Sequence, residues 1–350
     1  MGGTVTFSTS SRPTLRAGLV VTALCLSALL AALGATRAVE RAYPGLTRPP
    51  TEAFTPLHIG KLDLHEELGP ATLDTALGVA RLAGIDTVVN LAGGAEGGLL
   101  EAQLAAARPH GARVVVFANL DFEAYDGGGW AAREAARLAR ARALGARGLA
   151  VLGAPGPALL SSQGEPIWRA CADLGWPVIL GEVGTLEERL RLVEQHPRVE
   201  FVAARAGGAG DDTLRLLGAM DRFANLWLDT ALRLPDLGRA REAVRPALLA
   251  HANRILFGSG LNYLEAPAGQ DSAVPEGLPV LLDRELHRGR YHRFYFENVL
   301  RFLETRDVGI PAPDRGRRGE VEGVGLPLEV LKRLYRRNAE RLLGLASGEP

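Results

Sequence analysis

The sequence predicts an α/β fold, a (β/α)8 barrel, from two periodic features. Eight apolar runs of strand length recur along most of the chain, and helix-length stretches rich in Ala, Leu and Arg separate most of them. Strand-length runs that alternate with amphipathic helices are typical of βα units and an all-parallel sheet. Eight such units are the number that closes a barrel. The eight runs span residues 57–64, 87–91, 113–120, 147–152, 177–180, 199–204, 225–228 and 254–257.

The helices between and after these runs follow from the spacing of their apolar residues. The clearest predicted helices are residues 129–144, 185–195, 288–306 (which packs aromatic side chains on the barrel) and 326–345 (which closes it). Two segments rich in Gly, Pro and polar residues, 262–277 and 308–325, are predicted as loops. These assignments give one barrel domain with C-terminal helices over residues 57–345.

The composition fits a single large domain. The chain has 350 residues, 47% of them hydrophobic, and a formal net charge of zero. That content suffices for one core of barrel size, and the zero net charge argues against a nucleic-acid partner. Two cysteines, Cys25 and Cys171, provide neither zinc-type spacing nor a disulfide framework. We interpret Cys171, in a helical stretch, as a small core hydrophobe.

The N-terminus carries a targeting signal. Arg12 and Arg16, in a short basic segment at 1–16, precede the uncharged residues 17–35, which are just long enough to span a bilayer as a helix. We expect an uncleaved signal-anchor, with a cleaved signal peptide as the alternative. The flanking basic residues place the barrel outside the cytoplasm, membrane-anchored or exported. Residues 36–56, with several Pro and Thr, are the predicted linker.

Candidate site residues follow from the barrel prediction, because the functional residues of this fold lie at the carboxyl ends of the strands. Few of the residues at these positions are metal ligands. The polar candidates, in strand order, are His58 or His65 with Glu67, then Asn90, Asn119, Glu182, Arg205 and Asp229.

Five phrases of the chain resemble the amidohydrolase-related family of the amidohydrolase 2 type. They are Trp-Pro-Val-Ile-Leu-Gly at 176–181, Phe-Val-Ala-Ala-Arg-Ala-Gly-Gly at 201–208, Leu-Trp-Leu-Asp at 226–229, Ile-Leu-Phe-Gly-Ser-Gly at 255–260 and Asn-Ala-Glu-Arg-Leu-Leu at 338–343. The resemblance implies a TIM barrel of the metal-dependent hydrolase type. Its members are hydrolases and decarboxylases, in which a divalent metal at an open site activates water.

The same resemblance implies a degenerate member, because most metal-ligand positions are replaced. Family members use a His-x-His pair on strand one, a His after strand five and an Asp after strand eight, assisted by a His after strand six. In this chain, Gly181 stands at the position after strand five, Arg205 after strand six and Gly260 after strand eight. Glycine offers no side-chain ligand, and an arginine cation repels a divalent ion. We therefore expect no metal cofactor.

Strand one leaves two registers open. In one, His65 keeps the first ligand position and Glu67 replaces the second histidine. In the other, His58 is kept and Gly60 replaces its partner. Either way one of the two histidines is lost, and His65 with Glu67 are the residual metal candidates.

Arg205 supports the sharpest hypothesis about the site. A guanidinium in a barrel mouth is costly unless it is paired, and Glu67, Glu182 and Asp229 are the available carboxylates. We expect Arg205 to hold these carboxylates in an ion-pair cluster in place of the metal. The alternative is that Arg205 binds a small anionic ligand through a bidentate contact.

The remaining candidates each have a structural alternative. Glu182 and Asp229 are the catalytic candidates, but either can serve as an ion-pair or hydrogen-bonding residue instead. Asn90 and Asn119 are ligand-binding candidates, and both fit equally well as side chains that hold neighbouring loops.

Two functions compete. The first is a pseudoenzyme, a binding or scaffold protein at the membrane that has lost hydrolysis. The alternative is an active hydrolase or lyase with a rearranged site, and only this alternative calls for a divalent metal such as zinc. An open doubly wound α/β domain is disfavoured, because it needs fewer strands and no closing helix at 338–343. The position of Arg205 relative to the carboxylates separates the two functions.

Overall fold

The computed structural model describes residues 54–345, except 124, 126–127, 155–156, 209–211, 232–233, 264–295 and 313–318. The predicted membrane segment at 17–35 and nearly all of the linker lie outside the described residues. Within them, no helix has the length and apolar character needed to cross a membrane.

Parallel strands form the centre of the fold. They are β1 (Lys61–Leu68), β2 (Ile85–Asn90), β3 (Val114–Val116), β4 (Leu149–Val151), β5 (Val178–Leu180), β6 (Phe201–Ala203), β7 (Leu226–Asp229), β8 (Ile255–Leu256) and β9 (Leu261–Tyr263). Hydrogen bonds order them as β3-β2-β1-β9 in one sheet and β4-β5-β6-β7-β8 in the other. All eight predicted apolar runs overlap a strand, so the prediction of a parallel α/β architecture is confirmed.

The two sheets are joined at both edges. On one side, Ala118, just beyond β3, forms a parallel bridge with Leu149 of β4. On the other, one continuous segment carries β8 and β9. The backbone of this segment forms hydrogen bonds with β1. The Leu64 amide of β1 donates to the Phe257 carbonyl (2.9 Å), and the Gly260 amide donates to the His65 carbonyl of β1 (2.9 Å).

Helices flank the strands, and the two predicted between strands are confirmed. The helices are α1 (Leu73–Leu82), α2 (Leu100–Ala107), α3 (Trp130–Leu144), α4 (Glu165–Leu174), α5 (Leu186–Gln195), α6 (Asp212–Ala219), α7 (Leu234–Arg239), α8 (Arg241–Ala250), α9 (296–304), α10 (Leu328–Lys332) and α11 (Asn338–Leu343). Helix α5 begins with a reciprocal capping box, in which the side chains of Thr185 and Glu188 each accept from the other residue's backbone amide, so two amides at the helix start are satisfied. Cys171 of α4 is fully buried, as expected for a core hydrophobe.

Alternate strand residues enter two different apolar layers. Each of β1 to β8 contributes to one inner cluster, whose members include Leu64, Val89, Val115, Ala150, Ile179, Val202, Trp227 and Leu256. Outside β1, the apolar residues next to them in each strand belong to a larger cluster shared with the helices. This period of two is the pattern of strands buried on both faces. The site residues described below lie at the carboxyl ends of these strands.

Several predicted boundaries were wrong. β1 begins at Lys61 rather than at residue 57, and the predicted loop after strand eight opens with strand β9. The predicted loop at 308–325 contains a two-stranded hairpin, β10 (Ile310–Pro311) and β11 (Glu320–Val321). The closing helix is interrupted by a π-turn at Arg333–Arg337 between α10 and α11.

Candidate functional site

Four charged side chains line up at the carboxyl ends of β1, β6 and β7. We call Asp229, His65, Glu67 and Arg205 the alternating-charge chain. His65 Nδ1 lies 2.9 Å from Asp229 Oδ2, and His65 Nε2 lies 3.9 Å from Glu67 Oε1. Arg205 Nη2 donates to the same Glu67 oxygen at 2.7 Å. Carboxylate and cation therefore alternate from the buried end, at Asp229, to the partly exposed end, at Arg205.

Asp229 is the buried anchor of this chain. Its side chain is fully buried, and its Oδ1 accepts hydrogen bonds from the backbone amides of Arg205 (2.8 Å) and Ala231 (2.9 Å). Its Oδ2 faces His65. Because a buried carboxylate needs several donors to remain charged, these contacts account for Asp229 as a structural centre. The structural alternative for this catalytic candidate thus has direct support.

Arg205 sits in a backbone conformation that non-glycine residues rarely adopt. Arg205 (φ 53°) and Ala206 (φ 50°) are both left-handed, and Gly207 and Gly208 follow with positive φ. For L-residues this conformation costs about 1–2 kcal/mol each. The bond from the Arg205 amide to Asp229 and a bond from Arg189 Nη2 to the Gly207 carbonyl (3.0 Å) hold the turn. The turn fixes where the Arg205 side chain leaves the backbone beyond β6.

The surroundings of His65 favour its protonated form. Complete burial disfavours its charge, but the Asp229 carboxylate outweighs burial and, with help from Glu67, raises the pKa of His65 to about 9. The contacts with His65 and Arg205 lower the pKa of the Glu67 carboxyl below its usual value. His65 therefore lies between two carboxylates, in the arrangement of an ion-pair network.

A second acidic pair, missed in the sequence, lies beside the chain on β1. Asp63 accepts bonds from the backbone amides of His65 (3.0 Å) and Ser259 (3.0 Å), and burial raises its pKa to about 6. Burial, with the nearby Asp63 charge, raises the pKa of Glu66 well above its usual value. Neither carboxyl oxygen of Glu66 has a hydrogen-bond partner in the described structure, so the neutral acid is the form that fits.

We predict that the protein becomes less stable as the pH rises. The folded-state pKa of His65, about 9, exceeds its ordinary value of 6.5, so its stabilising contribution is complete below pH 6.5 and disappears as the pH passes through about 9. Asp63 also holds its proton more tightly when folded, and it removes stability between pH 3.8 and about 6. Urea unfolding across this range measures the decline.

The variant Asp229→Asn isolates the part of this pH-dependent loss of stability that is due to His65. It removes the charge that holds the histidine proton but keeps the side-chain shape, so the decline above pH 6.5 should flatten. A wild-type stability that is constant over this range, or an equal decline in the variant, would contradict the assignment of the charge to His65.

Other candidates lie away from the alternating-charge chain or are engaged elsewhere. Glu182 is exposed beyond β5, and no ion pair within the described residues joins it to Arg205, which favours a solvated loop residue over a partner of Arg205. His58 is exposed ahead of β1, whereas His65 and Glu67 lie within β1, which favours the register with His65 and Glu67.

Asn90 and Asn119 use their amide groups to hold loops. Asn90 bonds to both backbone groups of Leu68 (3.0 Å each) and to Gln103 (3.1 Å). Asn119 accepts from the Gly94 amide (2.7 Å) and donates to two carbonyls (2.9 Å each). Their ligand-binding role stays a prediction, but these contacts favour the structural alternative.

The residues at the implied metal-ligand positions do not fit a divalent ion. A Cβ at Gly181 would lie 2.6 Å from the carbonyl oxygen of Leu152, a backbone atom, so a histidine has no room there. Gly260 has φ +71°, a backbone conformation in which a side chain is strained. At the position after β6, Arg205 places a cation, which repels a divalent ion. Across the described part of the chain, no three His, Cys, Asp or Glu side chains converge on a point that can hold a metal.

Comparison with known proteins agrees with this fold. Residues 60–345 match the family model described as amidohydrolase (Amidohydro_2). A TIM-barrel protein from Bordetella bronchiseptica is similar in structure (TM-score 0.53, 14% identity, covering 82% of this chain and 99% of that one). So is a dihydroorotase from Campylobacter jejuni (TM-score 0.52, 14% identity, 86% and 88%).

A 2,6-dihydroxybenzoate decarboxylase also matches (TM-score 0.50, 16% identity, 82% of this chain and 100% of that one). A search of curated proteins gave no significant match. At these identities the structural matches establish the fold alone. The family model, however, covers most of the chain, and the protein therefore belongs to the amidohydrolase family.

Proposed function

We propose that this amidohydrolase-family protein is a pseudoenzyme: it does not depend on a metal, has lost hydrolysis, and binds a small anion through Arg205 as a binding or scaffold protein. The observation that carries the proposal is the 2.7 Å contact between Arg205 and Glu67 beside the 2.9 Å contact between His65 and Asp229. The side chains left from a metal site pair with one another.

The chemistry of these side chains argues against hydrolysis. A general base needs a free lone pair and a pKa near the working pH. His65 is protonated at neutral pH, because its pKa lies near 9. Glu67 is paired with a guanidinium that helps to lower its pKa, which makes it a weak base.

Anion recognition is supported by the exposure of Arg205. Its side chain is 35% exposed, whereas His65 and Asp229 are fully buried. A guanidinium carries five N–H donors in a planar fork that matches a carboxylate, and Glu67 engages Nη2. The other donors at this end of the site favour an anionic ligand.

We infer that β1 to β9 form one eight-stranded barrel, in which β8 and β9 are two parts of the last strand. Three observations support this inference: the bridge between Ala118 and Leu149, the backbone bonds from the β8–β9 segment to β1, and the inner cluster to which each of β1 to β8 contributes. In such a barrel the alternating-charge chain lies at the mouth. The membrane-anchored or exported location of the barrel remains a proposal from residues 17–35 alone.

The alternative, a hydrolase or lyase with a rearranged site, rests on one observation. His65 Nε2 is buried and lacks a hydrogen-bond partner in the described structure, and it lies 3.9 Å from Glu67. Under this alternative, His65 and Glu67 belong to the active site.

Metal binding by the full-length protein tests the proposal. After incubation with zinc or manganese and removal of free ions, elemental mass spectrometry should find far less than one metal per chain, and the melting temperature should not change. Near-stoichiometric metal that is lost in His65→Ala and kept in His58→Ala, a control at an exposed histidine, would favour the alternative enzyme.

A further inference from the structure

We propose that the Glu67 carboxylate is an internal occupant of the anion site, so that a ligand with a carboxylate group must displace Glu67 to reach Arg205. This inference rests on the proposed anion-binding function and deepens it. It names the ligand group, a carboxylate, and it identifies the side chain that competes with the ligand.

Glu67 and Arg205 form the end of the alternating-charge chain where partners can exchange. Their side chains are 17% and 35% exposed, in contrast to the fully buried pair of His65 and Asp229. A ligand from solvent therefore meets this ion pair first. Displacing Glu67 moves its carboxylate towards water, which costs far less than exposing a buried pair.

Glu67 uses the guanidinium incompletely. It makes one contact with Arg205, through Nη2, whereas Arg205 Nε is buried and has no hydrogen-bond partner among the described residues. Nε and Nη2 form the edge of a guanidinium that binds the two oxygens of a carboxylate in parallel. A carboxylate ligand placed on this edge would satisfy Nε, which Glu67 leaves unpaired.

The backbone explains why Glu67 does not reach both nitrogens. Glu67 belongs to β1, where it pairs in register with Asn262 of β9. Arg205 is fixed by its left-handed turn and by the bond from its amide to Asp229. Both backbones are held, so the two side chains meet in one geometry. A free ligand has no such restraint and can align both of its oxygens.

The charge of Glu67 is therefore expected to weaken ligand binding. In Glu67→Gln the side chain keeps an oxygen near Arg205 but loses the competing charge. We expect acetate and benzoate to bind this full-length variant at least about tenfold more tightly than the wild type, the size of effect of one charge-assisted hydrogen bond. Isothermal titration calorimetry measures the affinities of the wild type and of Glu67→Gln. Adding Arg205→Lys to Glu67→Gln should remove the gain in affinity.

Glu182→Gln is the matched control. It removes an exposed carboxylate that is not paired with Arg205, so its affinity for benzoate should stay within about twofold of wild type, as expected for an exposed, solvent-screened charge. A gain equal to that of Glu67→Gln would show a general charge effect and overturn the inference.

The remaining outcomes separate the inference from the proposed function. Equal binding by wild type and Glu67→Gln would leave anion binding standing and overturn the internal occupant. Binding by neither protein would overturn the proposed anion binding and the inference together. If Glu67→Gln does not fold, the carboxyl 13C resonance of Glu67 in the wild type decides. Benzoate must shift it towards the value of a free glutamate, and an unchanged resonance at saturation would overturn the inference.

Discussion

Replacing Asp229 with alanine is expected to lower the free energy of unfolding by about 3–5 kcal/mol, the cost of breaking a buried ion pair. The Asp229 side chain is fully buried and accepts from two backbone amides while it faces His65. The variant leaves a buried imidazole without its counter-charge and two amides without an acceptor. It also frees the left-handed turn at Arg205. Chemical denaturation at neutral pH measures the loss.

Two variants calibrate this result. Asp229→Asn keeps an oxygen for the two amides and should lose less stability than the alanine variant. Asp173→Ala removes a carboxylate that is 62% exposed and pairs with Arg198 at 3.4 Å, and it should change stability by less than about 1 kcal/mol. An Asp229→Ala protein as stable as Asp173→Ala would show that the alternating-charge chain does not stabilise the fold.

Much of the fold could be predicted because its strands are short, apolar and buried on both faces. The charged residues of β1 explain the largest strand error. Lys61, Asp63, His65 and Glu66 are all buried in this strand, yet they break the apolar pattern, so the predicted run ended too early. β9 was missed for a related reason, since the glycines at 258 and 260 interrupt the last strand.

The site could be predicted only in part, because pairing depends on distances between strands that are far apart in the sequence. The sequence showed Arg205 and three carboxylates that could pair with it. It did not show that Glu67 pairs with the Arg205 side chain, that Asp229 accepts from the Arg205 backbone amide, or that Glu182 does neither. The acidic residues at 63 and 66 were the one available signal for the second pair. Acids within a buried strand indicate raised pKa values.

The backbone around Gly181 occupies the space of the implied metal ligand after β5. From the sequence, Gly181 is a missing side chain. In the structure, its amide donates to the Val151 carbonyl at 2.8 Å, and the backbone of Leu152 fills the space that a side chain would take. At residue 181 both a ligand side chain and the space for one are absent, so we expect that one substitution cannot supply a ligand there.

Gly181→His is therefore expected to destabilise the protein by on the order of 3 kcal/mol, at the upper end of the cost of overpacking, and to bind no zinc. Its Cβ would meet the Leu152 oxygen at 2.6 Å and two further Leu152 backbone atoms at 2.9 Å. Because the obstacle is backbone, no rotamer change relieves it, and β4 and β5 must separate. Gly181→Ala should show much of the same loss in denaturant unfolding.

Gly153 provides the matched control, since it lies two residues after β4 and a Cβ there meets no described atom within 4 Å. Gly153→Ala and Gly153→His should stay within about 0.5 kcal/mol of wild type, as exposed substitutions usually do. If Gly181→His were as stable as these controls and held one zinc per chain, the fold would still have room for a metal ligand at this position. The site would then lack only a side chain, and the backbone would not block it. The proposal of an active enzyme would then replace the proposal of a pseudoenzyme.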